Sequence, residues 1–180
     1  MSSRRRRSAA GTGAATPALA ALRRAGVDHL VHTYRASGDS FGDEAARVMV
    51  DRLGVEAARV FKTLVLATDR PPAGSRIPLA VAVLPVTSML DLRAAAAALG
   101  CGRAALDGVD LVERSTGYVL GGVSPLGQKR PLPTLVDDSA LGHPTILCSA
   151  GRRGWEIELA PTDLVGLTDA VTATITTGRS

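Results

Sequence analysis

The segment 114–133, RSTGYVLGGVSPLGQKRPLP, restricts the possible folds most, because it fits neither regular secondary structure. Its glycines and prolines interrupt helical and strand periodicity, yet its valines and leucines are too apolar for a solvated linker. Glycine lets backbone amides approach a ligand closely, and proline stiffens a turn. A stiff loop rich in amides and hydroxyls, ending in Lys129 and Arg130, suits an anionic or carbonyl-bearing ligand. The alternative is a structural pair of turns between strands.

Strands and helices are interspersed along the chain without a regular β-α-β rhythm. The runs 60–68 and 79–86 are apolar and rich in β-branched residues, which is typical of central strands. The prolines and glycine between them predict a hairpin-like surface loop at 70–78. Helices are predicted for residues 17–25, from 40 or 43 to 53, 92–99, 107–114 and 161–169, and further strands for 29–34, 134–136, 145–149, 155–159 and 171–175. This order favours a mixed-sheet α+β domain.

The net charge of +4 comes from one end of the chain. Without Arg4–Arg7, the 21 basic residues become 17, which balance 17 acidic ones. We therefore expect residues 1–15 to be a disordered basic tail and residues 16–180 to be a single domain. The high pI is thus poor evidence for a body that binds nucleic acid, although a basic arm adds salt-sensitive attraction to phosphate.

The cellular compartment is predicted from the absence of membrane-spanning, secretory and disulfide patterns in the sequence. No apolar run approaches the ~20 residues that a membrane-spanning helix needs, and no apolar stretch near residue 1 resembles a secretory signal. Cys101 and Cys148 show no spacing typical of a disulfide framework, so we expect two buried free thiols. These features predict a cytoplasmic protein.

Lysine is rare in this chain, which draws attention to the two that remain. Of 21 basic residues only Lys62 and Lys129 are lysines. Either the compact ammonium is required at these positions, or lysine was retained there by chance. Lys62 lies inside an apolar strand, where alternation places it on the face of Leu64 and Leu66. If other elements cover that face, the ammonium needs a hydrogen-bonding or charged partner, or it loses its proton. If the face lines a cleft, Lys62 is a fixed cation for a carbonyl or phosphate oxygen of a ligand. If the strand lies at the edge of the sheet, the side chain points to water.

The common catalytic and metal motifs are missing. His29 and His32 are three residues apart, on opposite faces of a strand, and no other His or Cys has ligand spacing, so we expect no metal site. There is no G-x-S-x-G motif, His143 precedes a proline in a predicted loop, and the spacing from Gly121 to Lys129 does not fit a phosphate-binding P-loop. Cations, amides and hydroxyls remain, without an obvious nucleophile.

Seven segments resemble, in the same order, the YbaK-type Cys-tRNA(Pro) deacylases. They are TPALAALRRAGVDHLVHTY, SFGDEAA, VFKTLVLAT, LAVAVLPV, LDLRAAAAALG, ERSTGYVLGGVSPLGQKRPLPTLVD and RGWEIELAPTDL, and the resemblance runs from Thr16 to about Ile175. It implies an α+β fold with a mixed, partly barrel-like sheet and surrounding helices. It also implies a trans-editing deacylase that removes cysteine mischarged onto proline tRNA; whether Cys-tRNA(Cys) is a second substrate is left open by the sequence. The implied partners are the aminoacylated 3′ end of tRNA and prolyl-tRNA synthetase, with no cofactor and no membrane.

The resemblance also implies site residues. The essential lysine of the family falls on Lys62, and the acidic position, often Asp in the family, falls on Glu156, beside Trp155 where Leu is common. The expected substrate-binding residues are Tyr34, Phe41, Thr63, Gly121, Gly122, Ser124, Pro125, Ser149 and Glu156. Lys129 and Arg130 are expected to contact tRNA phosphates, on charge alone.

The family mechanism accounts for the absence of a nucleophile. The substrate's own thiol attacks the ester carbonyl, and the cyclic thioester that forms is opened by water, so the reaction is formally lyase-like. Two alternatives remain: a deacylase for another mischarged ester such as Ala-tRNA(Pro), and a module that binds tRNA or a synthetase without turnover.

Overall fold

The computed structural model describes residues 15–37 and 41–177, except for the side chain of Phe41. Apart from Ala15, the tail expected at residues 1–15 lies outside these ranges. The described helices are α1 (Pro17–Ala25), α2 (Phe41–Leu53), α3 (Leu92–Ala98), α4 (Val109–Thr116) and α5 (Pro161–Thr168), with 3₁₀ turns at Ala57–Arg59 and Asp138–Gly142. The described strands are β1 (His29–Thr33), β2 (Phe61–Thr68), β3 (Leu79–Pro85), β4 (Met89–Leu90), β5 (Ala104–Leu106), β6 (Thr134–Asp137), β7 (Ile146–Arg152), β8 (Trp155–Leu159), β9 (Val171–Ala173) and β10 (Thr176–Thr177).

Capping residues set the ends of two predicted helices. The Thr16 side chain accepts a hydrogen bond from the backbone N of Leu19, and Gly26 ends α1 with a φ of 66°. The carboxylate of Asp91 accepts hydrogen bonds from the backbone N atoms of Arg93 and Ala94 at the start of α3. These helices therefore begin where the sequence predicts.

A five-stranded mixed sheet in the order β5-β2-β3-β6-β9 is the centre of the fold. Strands β2 and β3 pair antiparallel, as the hairpin-like loop predicts, whereas β3–β6 and β6–β9 pair parallel. Every residue of β3 is buried, which confirms it as a central strand. The predicted α+β class is thus confirmed.

A second, antiparallel sheet in the order β1-β8-β7 packs beside the first. An isolated parallel bridge between Val60, just before β2, and Leu147 of β7 joins the two sheets. In the described part of the chain the strands form separate open sheets and not a closed barrel.

Two apolar cores cover the two faces of the central sheet. One face of β2 and β3, with Phe61 and Val81, packs against α1 and against Cys148 and Ile157 of the second sheet. The opposite face, with Leu66, packs against α3. Cys101 and Cys148 are both buried and free, as the sequence predicts.

Some short elements were not predicted, and some boundaries differ. Strands β4, β5 and β10 have two or three residues, too few to show a period. Strand β7 continues past its predicted end at Ser149 to Arg152, through an irregularity in its pairing with β8. None of the helices described is long and apolar enough to cross a bilayer.

Candidate active site

A cavity of about 200 Å³ lies at the open edge of β2. Strand β5 pairs only with Leu66–Thr68, and the bridge to β7 is made at Val60, so no strand pairs with the middle of β2 on that side. Helix α2, the loop after α4 and the ends of β7 and β8 surround this gap. The lining residues are Gly42, Ala45, Val60, Phe61, Lys62, Thr63, Leu64, Val86, Leu120, Gly121, Val123, Ser149 and Glu156.

The backbone of Thr63 points to this open edge. Val60 O accepts a hydrogen bond from Val86 N on the β3 side at 2.9 Å, and Val65 O accepts one from Asp107 N on the β5 side at 3.2 Å. Because backbone groups alternate in direction along an antiparallel strand, the N–H and C=O of Thr63 lie on the β5 side, where no strand pairs with them. Its Oγ1 is also buried without a hydrogen-bond partner among the described residues. Thr63 therefore offers donors and acceptors for a ligand.

Lys62 is a cation held inside the cleft. Its Nζ donates a hydrogen bond to the backbone O of Ser88 at 2.7 Å. Burial lowers the pKa of the ammonium, and the carboxylate of Asp43 opposes that effect. An ammonium has three protons, so two remain to bind a ligand oxygen. Of the three environments considered from the sequence, the structure shows the cleft.

Glu156 is a buried carboxyl group in the wall of the same cavity. It is 6% exposed and lies opposite Ser149 across the β7–β8 pair. Burial raises its pKa from 4.5 to about 8, so the neutral acid predominates at pH 7. Ser149 lines the cavity too, and its Oγ accepts a hydrogen bond from Gly151 N at 3.3 Å.

Tyr34 and Phe41 are the two aromatic residues expected in the pocket, and the structure describes the side chain of Tyr34 only. The backbone N of Tyr34 donates to Gly154 O at 2.8 Å, and its half-buried side chain packs in the cluster that contains Met49. Burial, with the charges of Glu156 and Glu44, raises the pKa of Tyr34, so its hydroxyl stays protonated. Tyr34 is near Glu156 but is not part of the cavity lining. Phe41 is the first residue of α2, and its side chain lies outside the described part.

The glycine-rich loop connects α4 to β6, and hydrogen bonds within the loop hold its shape. Gly121 lines the cavity, whereas Gly122, Ser124 and Pro125 are buried behind it. The Tyr118 hydroxyl donates to Leu126 O at 2.8 Å and fixes the loop. Gly122 N donates to Val119 O, so that amide is already used within the loop.

Five of the predicted residues line the cavity together. They are Lys62, Thr63, Gly121, Ser149 and Glu156. Lys129 and Arg130 are exposed and do not line it. Sequence reasoning missed the apolar wall formed by Gly42, Ala45, Val60 and Val86; the apolar face of α2 is a signal for Ala45 alone.

Comparisons with known proteins show the family to which this chain is similar. A sequence model of the aminoacyl-tRNA editing domain matches residues 44–167. EbsC of Enterococcus faecalis, a proposed Cys-tRNA(Pro)/Cys-tRNA(Cys) deacylase, is 38% identical over 133 residues, which are 74% of this chain and 77% of that protein.

Two crystal structures share the fold. A proposed trans-editing enzyme for prolyl-tRNA synthetase is 25% identical with a TM-score of 0.74, over 90% of this chain and 96% of that one. The hypothetical protein APE2540, 23% identical, has a TM-score of 0.76 over 90% of this chain and 100% of that one.

Proposed function

Because this chain belongs to the aminoacyl-tRNA editing domain family, we propose that it hydrolyses the ester that joins a mischarged amino acid to tRNA. Cys-tRNA(Pro) is the proposed main substrate, and the name of the EbsC relative adds Cys-tRNA(Cys). The enzyme acts in trans, in the cytoplasm, beside prolyl-tRNA synthetase as its proposed partner.

The position of Lys62 carries this proposal. Its ammonium is fixed by Ser88 O in a cavity of about 200 Å³, which suits a small aminoacyl group. Among the residues that the structure describes, the cavity lining includes the hydroxyls of Thr63 and Ser149 but no His or Cys side chain. These lining side chains favour a nucleophile supplied by the substrate or by water over an enzyme nucleophile activated by a histidine base.

In the proposed reaction the cysteine thiol of the substrate is the nucleophile. Its sulfur bonds to the ester carbonyl carbon, the bond from that carbon to the ribose oxygen breaks, and the thiol proton passes to the ribose oxygen. Water then adds to the cyclic thioester and opens it to free cysteine. A thiol of pKa ~8.5 is only a few per cent ionised at pH 7, but holding it at the carbonyl is worth an effective molarity on the order of 10⁵ M or more.

The cavity residues have distinct proposed roles. Lys62 stabilises the negative charge that develops on the carbonyl oxygen. Thr63 and Glu156 bind the polar groups of the amino acid, and Ser149 shapes its pocket. Tyr34 supports the wall beside Glu156 from outside the lining, and Phe41, at the start of α2, is a further candidate for the pocket. Gly121, Gly122, Ser124 and Pro125 form the loop that holds the terminal adenosine, and Lys129 and Arg130 contact phosphates farther along the strand.

The test is the release of amino acid from Cys-, Ser- and Ala-tRNA(Pro) by the wild type and by Lys62→Ala. We expect release selective for cysteine, and a fall of about 10²–10³-fold in kcat for the variant, the range for loss of one group that stabilises an oxyanion. Arg103→Ala is the matched control, because this exposed arginine lies beside Asp69, beyond the end of β2 that is opposite Lys62.

Each other outcome selects one of the alternatives. Release of alanine or serine as fast as cysteine would keep the editing activity but rule out attack by the substrate thiol. If no ester is cleaved while tRNA still binds, the chain is a binding module and the proposed function is wrong.

A further inference from the structure

The turn between β7 and β8 packs against the glycine-rich loop at the rim of the cavity. The Arg153 Nε donates a hydrogen bond to the backbone O of Leu120 at 2.7 Å, and Leu120 lines the cavity. A Cβ atom on Gly122 would lie 3.0 Å from Arg153 N and 3.1 Å from Arg152 Cα. Loop and turn are therefore packed together, and the backbone of Arg152 lies against Gly122, the neighbour of the cavity-lining Gly121; this contact of loop and turn is called the rim.

Arg152 is held on this rim by an aromatic ring. Its guanidinium carbon lies 5.3 Å from the centroid of Trp155, the residue that pairs with it across the turn. Arg152 is exposed, and among the described residues it has no carboxylate within ion-pair distance. Arg59 shows the contrast: its guanidinium is occupied by Glu158 and by Thr145.

The Arg152 guanidinium, stacked on Trp155 and without a carboxylate partner among the described residues, can bind an oxyanion. It presents a planar set of N–H donors that matches two oxygens of a phosphate. Stacking on Trp155 restricts its rotamers before binding, so less conformational entropy is lost when the ligand arrives. Outside Arg4–Arg7 the chain has 17 basic and 17 acidic residues, so the two adjacent exposed arginines of this turn, Arg152 and Arg153, are not explained by an overall basic composition.

We propose that Arg152, supported by Trp155, binds a phosphate of the tRNA 3′ strand next to the nucleotide whose ester enters the cavity. This inference rests on the proposed function, because an ester bound beside Lys62 extends the phosphodiester chain out of the cavity and over its rim. A polymeric substrate then has its nearest phosphates where Arg152 lies. Lys129 and Arg130 do not line the cavity and would serve phosphates farther away.

Strand geometry predicts that this contact contributes to binding and not to the chemical step. Side chains alternate along β8, so Trp155 and Glu156 lie on opposite faces of the sheet. Trp155 packs at the edge of the core that contains Tyr118, whereas Glu156 lines the cavity. Removing the Arg152 guanidinium therefore leaves the cavity groups in place.

The test compares two substrates, Cys-tRNA(Pro) and 3′-O-cysteinyl adenosine, which has the same ester but no phosphate. For Arg152→Ala we expect KM for the tRNA ester to rise about tenfold to a hundredfold with kcat unchanged, as for loss of a charge-assisted hydrogen bond. The slope of log(kcat/KM) against log[salt] should become shallower by about 0.7, the value for one phosphate of a single strand. Activity on the nucleoside ester should stay the same.

Two further variants separate charge from geometry. Arg152→Lys should keep the salt slope but bind less tightly, because an ammonium lacks the bidentate fork. Trp155→Leu should raise KM in the same direction as Arg152→Ala, by a smaller factor. Arg103→Ala removes an equal charge far from the cavity and should change neither substrate.

Equal loss of activity on both substrates would mean that Arg152 only supports the fold of the cavity, and the inference would be wrong. An unchanged KM and salt slope with the tRNA ester would also overturn it. If the wild type cleaves neither substrate, the proposed function fails, and binding of uncharged tRNA decides the remaining question. A Kd and salt slope that are the same for the wild type and Arg152→Ala would then rule out the phosphate contact.

Discussion

The buried carboxyl group of Glu156 should make the stability of this protein depend on pH in an unusual direction. Burial raises its pKa from 4.5 to about 8 in the folded chain. Below pH 4.5 the group is protonated in both the folded and the unfolded state, so its ionisation costs nothing. Between pH 4.5 and 8 the unfolded chain releases this proton while the folded chain keeps it. The free energy of unfolding therefore falls as pH rises through this interval, and the loss is complete above pH 8.

The pKa difference sets the size of this effect. One pKa unit corresponds to about 1.36 kcal/mol, so the change from 4.5 to about 8 gives a cost on the order of 5 kcal/mol at pH 8.5. Glu156→Gln has nearly the same shape and cannot ionise. Its stability relative to the wild type should therefore increase steadily from pH 4.5 to pH 8.5, by several kcal/mol.

Urea unfolding of both proteins at pH steps from 4 to 8.5 measures this difference, with unchanged m-values as the check that the unfolded states match. Glu158→Gln, the same substitution on the same strand, is the control of opposite sign. Burial alone would raise the pKa of Glu158, but the net effect of its surroundings is to lower it. The pKa is lowered by hydrogen bonds from Thr145 and His32 and by the charges of His32 and Arg59. That carboxylate stabilises the fold above pH 4.5, so Glu158→Gln should be destabilising at pH 7 and neutral at low pH. A difference between Glu156→Gln and the wild type that does not change from pH 5 to 8.5 would refute the reasoning.

Three more predictions concern the loop and the cation. Gly127→Ala should lower the free energy of unfolding in urea by about 3 kcal/mol or more. A Cβ at this position would lie 2.3 Å from the backbone C of Pro17, and Gly127 has a φ of +65°. A loss under 1 kcal/mol would contradict this packing. Lys62→Met should keep the stability of the wild type within about 1 kcal/mol, because burial already disfavours the ammonium, while deacylation is lost; activity retained by this variant would remove Lys62 from the mechanism. Gly122→Ala should lower kcat/KM for Cys-tRNA(Pro) about a hundredfold. The added Cβ would lie 3.0 Å from Arg153 N, so the loop must shift by a fraction of an ångström or more to make room for it. Unchanged kinetics would show that the position of the loop does not matter for deacylation.

The larger elements of the fold follow from local chemistry in the sequence. The apolar run 79–86 predicts a buried strand, and β3 is buried throughout. Thr16 and Asp91 predict the starts of α1 and α3, because their side chains satisfy backbone N–H groups that have no partner within the helix. Lys62 was found in the same way, as an isolated charge in an apolar strand where arginine is the usual cation.

The features that make the cavity depend on distant parts of the chain, and local patterns do not report them. The open edge of β2 exists because β5 pairs only with Leu66–Thr68, and a three-residue strand has no detectable period. Alternation predicts which face Glu156 occupies, but not that α2 and the glycine-rich loop would cover that face. The contact between Gly122 and Arg152 joins residues thirty positions apart, which composition cannot reveal.

The walls of the cavity come from chain segments that are far apart in sequence, and this has a consequence for biosynthesis. Lys62 lies on an early strand, whereas Glu156 lies on β8, near the end of the described chain. Contacts of such long sequence separation form slowly, because the chain between them must be ordered before they are gained. A nascent chain that has not yet emerged beyond β7 lacks Glu156 and the turn that supports the glycine-rich loop. The complete cavity would therefore form only after β8 has left the ribosome, because Lys62 and Glu156 line it together.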